Sequence, residues 1–143
     1  MIRRRNRGFT LAELIIVIVI AAILAAIAIP QLNLRQIEAT WFHEQVRSGV
    51  RYAQRTAVAQ RRPVFVVVEA GPRFALCYAD PCGVRVTELA TGNSFLLNAP
   101  SGAALSISVS PLSFNGLGQP SSGATLNVGG KTITINAETG YVQ

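Results

Sequence analysis

Phe9 and Glu13, with three residues between them, pose the first chemical question in this 143-residue chain. From Phe9 to Ile29 Glu13 is the only charged residue and Thr10 the only hydroxyl. A carboxylate in hydrocarbon costs on the order of 2.5 to 3.5 kcal/mol at mid-bilayer, and less near an end, so it calls for compensation. One source is the start of its own helix, where the macrodipole favours an acid by roughly 0.3 to 1 kcal/mol. Another is a cation made by processing. A cut after Gly8 would leave an α-amine on Phe9, largely charged at neutral pH. That amine would reach Glu13 four residues on, or Glu13 of a neighbouring copy.

Other reactive types are few. Cys77 and Cys82 bracket four residues that include Asp80-Pro81, a turn-forming pair. Outside the cytoplasm the expected state is a disulfide bracing a local turn. A metal site is the rival, although two thiols and the single histidine, His43, provide at most three ligands from distant places. No metal or cofactor is expected. Catalysis lacks its parts as well. His43 lies beside Trp41 and Phe42 on a helical pattern, where a structural or surface role outweighs a general base. The acids after Pro63 are widely spaced, and Gly116-Leu117-Gly118 lacks the lysine and following helix of a phosphate loop. The chain is not expected to be an enzyme.

The elements that position these residues follow from hydropathy and charge. The 21 residues from Phe9 to Ile29 reach roughly 31 Å as a helix, a hydrocarbon-core thickness. Arg3, Arg4, Arg5 and Arg7 precede them, and the next basic residue after the run is Arg35. This bias places the N-terminus in the cytoplasm and the remainder outside. The net charge of +6 is largely local: without the first eight residues, nine basic side chains face seven acidic ones. From Pro63 onward three basic residues face four acidic ones, so the part after Pro63 is not a basic nucleic-acid binder by composition. One domain with a modest core fits the length.

Pro30 should kink or loosen the helix, because it lacks an N–H and crowds the carbonyl of Ala26. Beyond it Phe42, Val46, Gly49, Val50, Ala53 and Ala57 recur at helical steps, a stripe suited to close packing on a sheet. Glu44, Arg47, Arg51 and Arg55 mark the opposite face, read as a solvated surface or a contact with an anionic partner. Pro63 ends the helix near Arg61 or Arg62. Short strands follow: Val64–Glu69, Phe74–Tyr78, Val84–Leu89 with Val84, Val86 and Glu88 on one face, Phe95–Leu97, Ala104–Val109 and Leu112–Phe114. Asn115–Gly123, with three glycines and a proline, reads as a mobile surface loop. A hairpin of Thr125–Val128 and Thr132–Ile135 turns at Gly129-Gly130-Lys131, and Tyr141–Gln143 is an edge strand. One long helix before seven or eight short strands makes an α+β fold.

The short basic start, Gly8, Phe9, Glu13 as the fifth residue after the expected cut, and Pro30 resemble the class III signal of type IV pilins and type II secretion pseudopilins. The resemblance implies that a prepilin peptidase cuts after Gly8 and N-methylates Phe9, and that Glu13 guides assembly by attracting an incoming amine. Residues 1–8 would be a cytoplasmic leader, 9–29 a transmembrane and filament-core helix, 30–62 an amphipathic helix, and 63–143 a periplasmic antiparallel β domain on which that second half packs. The later order, including Val50–Gln60, Pro63-Val64, Phe114–Gly118 and Ile133–Val142, resembles minor pilins of the GspH/FimT group. The cysteine pair and the Gly129–Val142 ending are most similar to minor pilins of mannose-sensitive haemagglutinin-type pili. Some relatives bind DNA through a C-terminal arginine motif, whereas Ala137–Gln143 holds no arginine or lysine, so nucleic acid is not an expected partner. Expected partners are the peptidase, other pilin or pseudopilin subunits, the inner-membrane assembly platform and the membrane itself.

Two rivals stand beside the polymer subunit. Ala26-Ile27-Ala28 has the form of a secretory cleavage site that would release a binding protein beginning at Ile29. A singly anchored periplasmic protein that never polymerises would keep Met1.

Overall fold

A computed structural model of the chain describes residues 9–28 and 34–143, which form two helices and seven strands. They fall into two compact units divided between Leu34 and Arg35. The expected cut at Gly8 and the expected kink at Pro30 lie outside the described residues.

The first unit contains α1 (Leu11–Ala28), an 18-residue helix. Thr10 caps it: the Glu13 N–H donates to Thr10 Oγ1 at 3.2 Å and to Thr10 O at 3.1 Å. After its first turn the helix is apolar on every face, and Leu14, Ile16, Ile18, Ile20 and Leu24 are all exposed. Eighteen residues rise about 27 Å, just short of a hydrocarbon core. Among the described residues no helix is long and apolar enough to cross a membrane. The segment from Phe9 to Ile29 overruns α1 at both ends, and Ile29 is not among the described residues.

The second unit is built on α2 (Leu34–Gln60), whose predicted stripe is buried from Phe42 to Ala57. The small residues let the helix lie close to a sheet. A Cβ on Gly49 would sit 2.8 Å from the Phe74 ring and 3.1 Å from the Phe95 ring. The helix ends in a Schellman arrangement, with Arg62 N–H donating to Ala57 O at 3.2 Å and Arg61 N–H to Val58 O at 3.3 Å. Arg61 takes the left-handed conformation, φ 50°, where glycine is commoner. The chain passes tightly over it, since a Cβ on Gly116 would lie 3.0 Å from the Arg61 carbonyl carbon.

Two antiparallel sheets follow. β1 (Val64–Glu69), β2 (Arg73–Cys77), β3 (Leu96–Asn98) and β5 (Leu112–Phe114) form one, in the order β3-β2-β1-β5. β4 (Leu105–Ile107), β6 (Ala124–Val128) and β7 (Lys131–Ile135) form the other, in the order β4-β6-β7. The alternation in β6 turns Ala124, Leu126 and Val128 inward, and Ile133 and Ile135 join them from β7. With Val64, Val66, Phe74, Leu76, Leu112 and Phe114 they close one core beneath α2. Gly129 and Gly130, at φ 59° and 82°, make the two-residue hairpin turn, and Lys131 pairs with Val128 as part of the strand. The fold is α+β, with the helix packed on antiparallel sheet.

Two expectations need correction. Val84–Leu89 is not a regular strand. It makes only the isolated bridges Cys77–Arg85 and Thr87–Ser94, and Val86 is buried while Val84 is 61% exposed. Its bonding is split between neighbours, because Val86 N–H donates to Leu76 O at 2.8 Å while Val86 O accepts from Phe95 N–H at 2.7 Å. Thr87 O accepts from the Tyr52 hydroxyl at 3.2 Å, which draws the chain toward α2. Asn115–Gly123 is not a loose loop. Asn115 Oδ1 accepts from the N–H groups of Leu117 at 3.0 Å and Gln119 at 2.9 Å. Gly118 O accepts from Gln54 Nε2 of α2 at 2.8 Å.

Candidate functional site

The N-terminal end carries the residues singled out for processing and assembly. Thr10-Leu11-Ala12-Glu13 is a Ser/Thr-x-x-Glu sequence, the signature of a capping box, and the Thr10 half of that box is formed. Glu13 therefore occupies the first turn of α1, where the exposed N–H groups favour a negative charge. Phe9 stands just outside the helix, 75% exposed. This geometry orients Glu13 by its own helix and leaves the Phe9 side of the cap open. The capping signal was present in the sequence at Thr10, whose hydroxyl sequence reasoning noted without giving it this role.

The arginine stripe of α2 divides into three environments. Arg47 is half-buried, with Nη1 3.6 Å from the carboxylate of the exposed Glu44 at i,i+3. Arg51 reaches across to the C-terminal segment and donates from Nη2 to Val142 O at 3.0 Å. Arg55 is exposed and borders a cleft with Gln54, Val58, Leu117 and Thr139. Of these three arginines only Arg55 is exposed. Nothing local in the sequence pointed from Arg51 to Val142, 91 positions away.

Cys77 and Cys82 are joined as a disulfide, with Cα atoms 5.4 Å apart. The bridge sits at the end of β2, and Arg62 stacks over the Tyr78 ring at 3.8 Å from its centroid. A compact ionic cluster was missed: Glu69 accepts two bonds from Arg85 Nη2 at 2.8 and 3.0 Å and pairs with Arg73 at 3.3 Å. Glu69 and Arg73 face each other across the β1–β2 turn, a spacing visible in sequence, but Arg85 arrives from the irregular segment. His43 is buried in α2 with Nδ1 3.4 Å from the Glu44 carboxylate. Among the described residues no group of three or more metal-binding side chains converges.

The described residues thus carry an exposed apolar helix and a separate compact α+β unit. Two comparisons with known proteins bear on them. Residues 3–29 match the family model described as the prokaryotic N-terminal methylation motif. A crystal structure of the type IV minor pilin FimU from Pseudomonas aeruginosa PAO1 is similar at TM-score 0.52, with 19% identity over 76% of this chain and 90% of that one. A second crystal form of the same pilin gives TM-score 0.51 and 22% identity, over 78% of this chain and 87% of that one. The chain carries a prokaryotic N-terminal methylation motif and shares the fold of that minor pilin. No curated protein matches it in sequence. The methylation motif ends at residue 29, so Phe9, Thr10 and Glu13 all lie inside it.

Proposed function

We propose that the chain is a minor pilin or pseudopilin, a structural subunit of a type IV pilus or of a type II secretion pseudopilus. The observation that carries the reading is the joining of a methylation motif over residues 3–29 to a body with a minor-pilin fold. The precursor sits in the inner membrane with residues 1–8 in the cytoplasm and the β domain in the periplasm. Prepilin peptidase cuts after Gly8 and methylates Phe9. The assembly platform then extracts α1 from lipid, and its exposed apolar faces pack against the helices of neighbouring subunits. Leaving those faces in water would be costly, because apolar burial contributes about 25 cal/mol per Å².

Glu13 sets register in this reading by meeting the new amine of an adjacent subunit. The Thr10 cap supports it by fixing the first turn of α1, so that the carboxylate leaves the helix in one direction. The role is structural and needs no bound group. The test is mass spectrometry of the mature protein from its native membrane. The expected N-terminal residue is methylated Phe9. Recovery of Ile29 at the N-terminus would instead make this a secreted protein, and retention of Met1 would make it a simple anchored one.

A further inference from the structure

Four strands form the outer edges of the two sheets; the chain covers β5 and β7, while β3 and β4 have no second partner strand among the described residues. The edge of β5 is covered by the chain's return, with Ser121 N–H donating to Ser113 O at 2.7 Å and Ser113 N–H to Ser121 Oγ at 3.2 Å. The edge of β7 is covered by the C-terminal segment, where Thr134 and Gln143 exchange bonds of 3.1 and 2.9 Å. Among the described residues β3 pairs with β2 and with no other strand. Its register alternates in a way that fixes which groups are free. Phe95 O accepts from Leu76 N–H, and Ala99 N–H donates to Pro72 O, so the odd-numbered residues face β2. Leu96 and Asn98 sit opposite Ala75 and Arg73 in the non-bonded positions of an antiparallel ladder, and their N–H and C=O groups point outward.

That free edge runs along a groove. Trp41, Gln45 and Ser48 of α2 form one wall, and β3 with the preceding loop forms the other. The deeper part, beside Ser94–Leu97, encloses about 390 Å³. Trp41 is 69% exposed. Glu38 lies at the Asn98 end and Glu88 at the Phe95 end, and among the described residues neither end is lined by a lysine or arginine. Proteins blunt such edges by keeping them very short, with lysine or proline, with a bulge, or with a covering segment. β3 is short, three residues stopped by Pro100, but it carries no charged residue or proline.

We propose that the β3 edge is a docking site for an extended segment of another protein, added as a further strand, with basic residues at the ends of that segment. Outward groups of Leu96 and Asn98 supply the main-chain bonds, Trp41 covers an apolar side chain, and Glu38 and Glu88 select the charge. This surface lies on the second unit and is independent of whether α1 polymerises.

Trp41 is the only tryptophan in the chain and reports occupancy directly. The full-length protein in neutral detergent micelles is titrated with the peptide Lys-Thr-Val-Thr-Val-Thr-Lys and with its counterpart bearing glutamate at both ends. A saturable blue shift of Trp41 emission is expected with the lysine peptide, at an affinity at least about tenfold above that for the glutamate peptide. Asn98→Pro deletes an outward N–H without touching the β3–β2 bonds and should abolish the response at unchanged thermal stability. Glu38→Lys with Glu88→Lys should invert the peptide preference. Absence of a saturable shift, equal affinity for the two peptides, or full binding by folded Asn98→Pro would each overturn the proposal.

Discussion

Gly49 shows how one missing methyl group sets the distance between α2 and the first sheet. A Cβ there would meet the Phe74 ring at 2.8 Å, and Phe74 is fully buried with no free side to yield. Gly49→Val should therefore overpack the core and cost about 1–3 kcal/mol in urea unfolding. Arg51 acts at longer range through its bond to Val142 O. Arg51→Ala should cost about 1.5 kcal/mol, the scale of a charge-assisted hydrogen bond, and should speed amide exchange at Gln143 and Thr134, which bond to each other. Under the proposed function Glu13 acts in assembly. Glu13→Ala should lower incorporation into the filament while the melting temperature of the body stays the same. Normal incorporation would remove Glu13 from the assembly mechanism.

At the level of elements, the long periodic segments were readable and the short irregular ones were not. α2 ends at Gln60, as Pro63 required, and β1 and β5 fall on the predicted residues. Their patterns hold because each side chain's face is set by neighbours two to four positions away. Val84–Leu89 misled because alternation specifies a face without guaranteeing a continuous partner; here the partner changes from β2 to residues 94–95 within a few residues. Asn115–Gly123 misled because glycine and proline signal a turn but say nothing of what the turn rests on. The Asn115 carboxamide and Gln54 hold it. The disulfide closes a short loop, five positions apart, so the chain-entropy account gives it about 2 kcal/mol. The Cys77→Ser, Cys82→Ser pair should lower stability by that amount and leave the sheet order intact by circular dichroism.

For the whole molecule, the boundary between units at Leu34 and Arg35 makes a direct prediction. Residues 35–143 contain every buried residue of the core. Expressed alone they should unfold cooperatively and stay monomeric, whereas the full chain, with the exposed apolar faces of α1, should need detergent. A fragment that melts without cooperativity would show that α1 contributes to the fold of the body. The candidate site divides along the same line. Its N-terminal half is a contiguous pattern of Phe9, Thr10 and Glu13, legible because the motif is local. Its surface half, made of Trp41, the β3 edge and the arginines of α2, joins residues far apart in the chain.

By itself the sequence determined that an apolar helix with one acid near its start precedes an amphipathic helix and a set of short strands. Those features follow from spacing, charge and proline geometry within a few residues. Only the tertiary structure decided that Arg51 is spent on Val142 and Gln54 on Gly118, at separations of 91 and 64 residues. It also decided which strand edges are covered and which are left open. A hydrogen bond between distant residues has no local signature, because its partners are chosen by the packing of the elements that carry them.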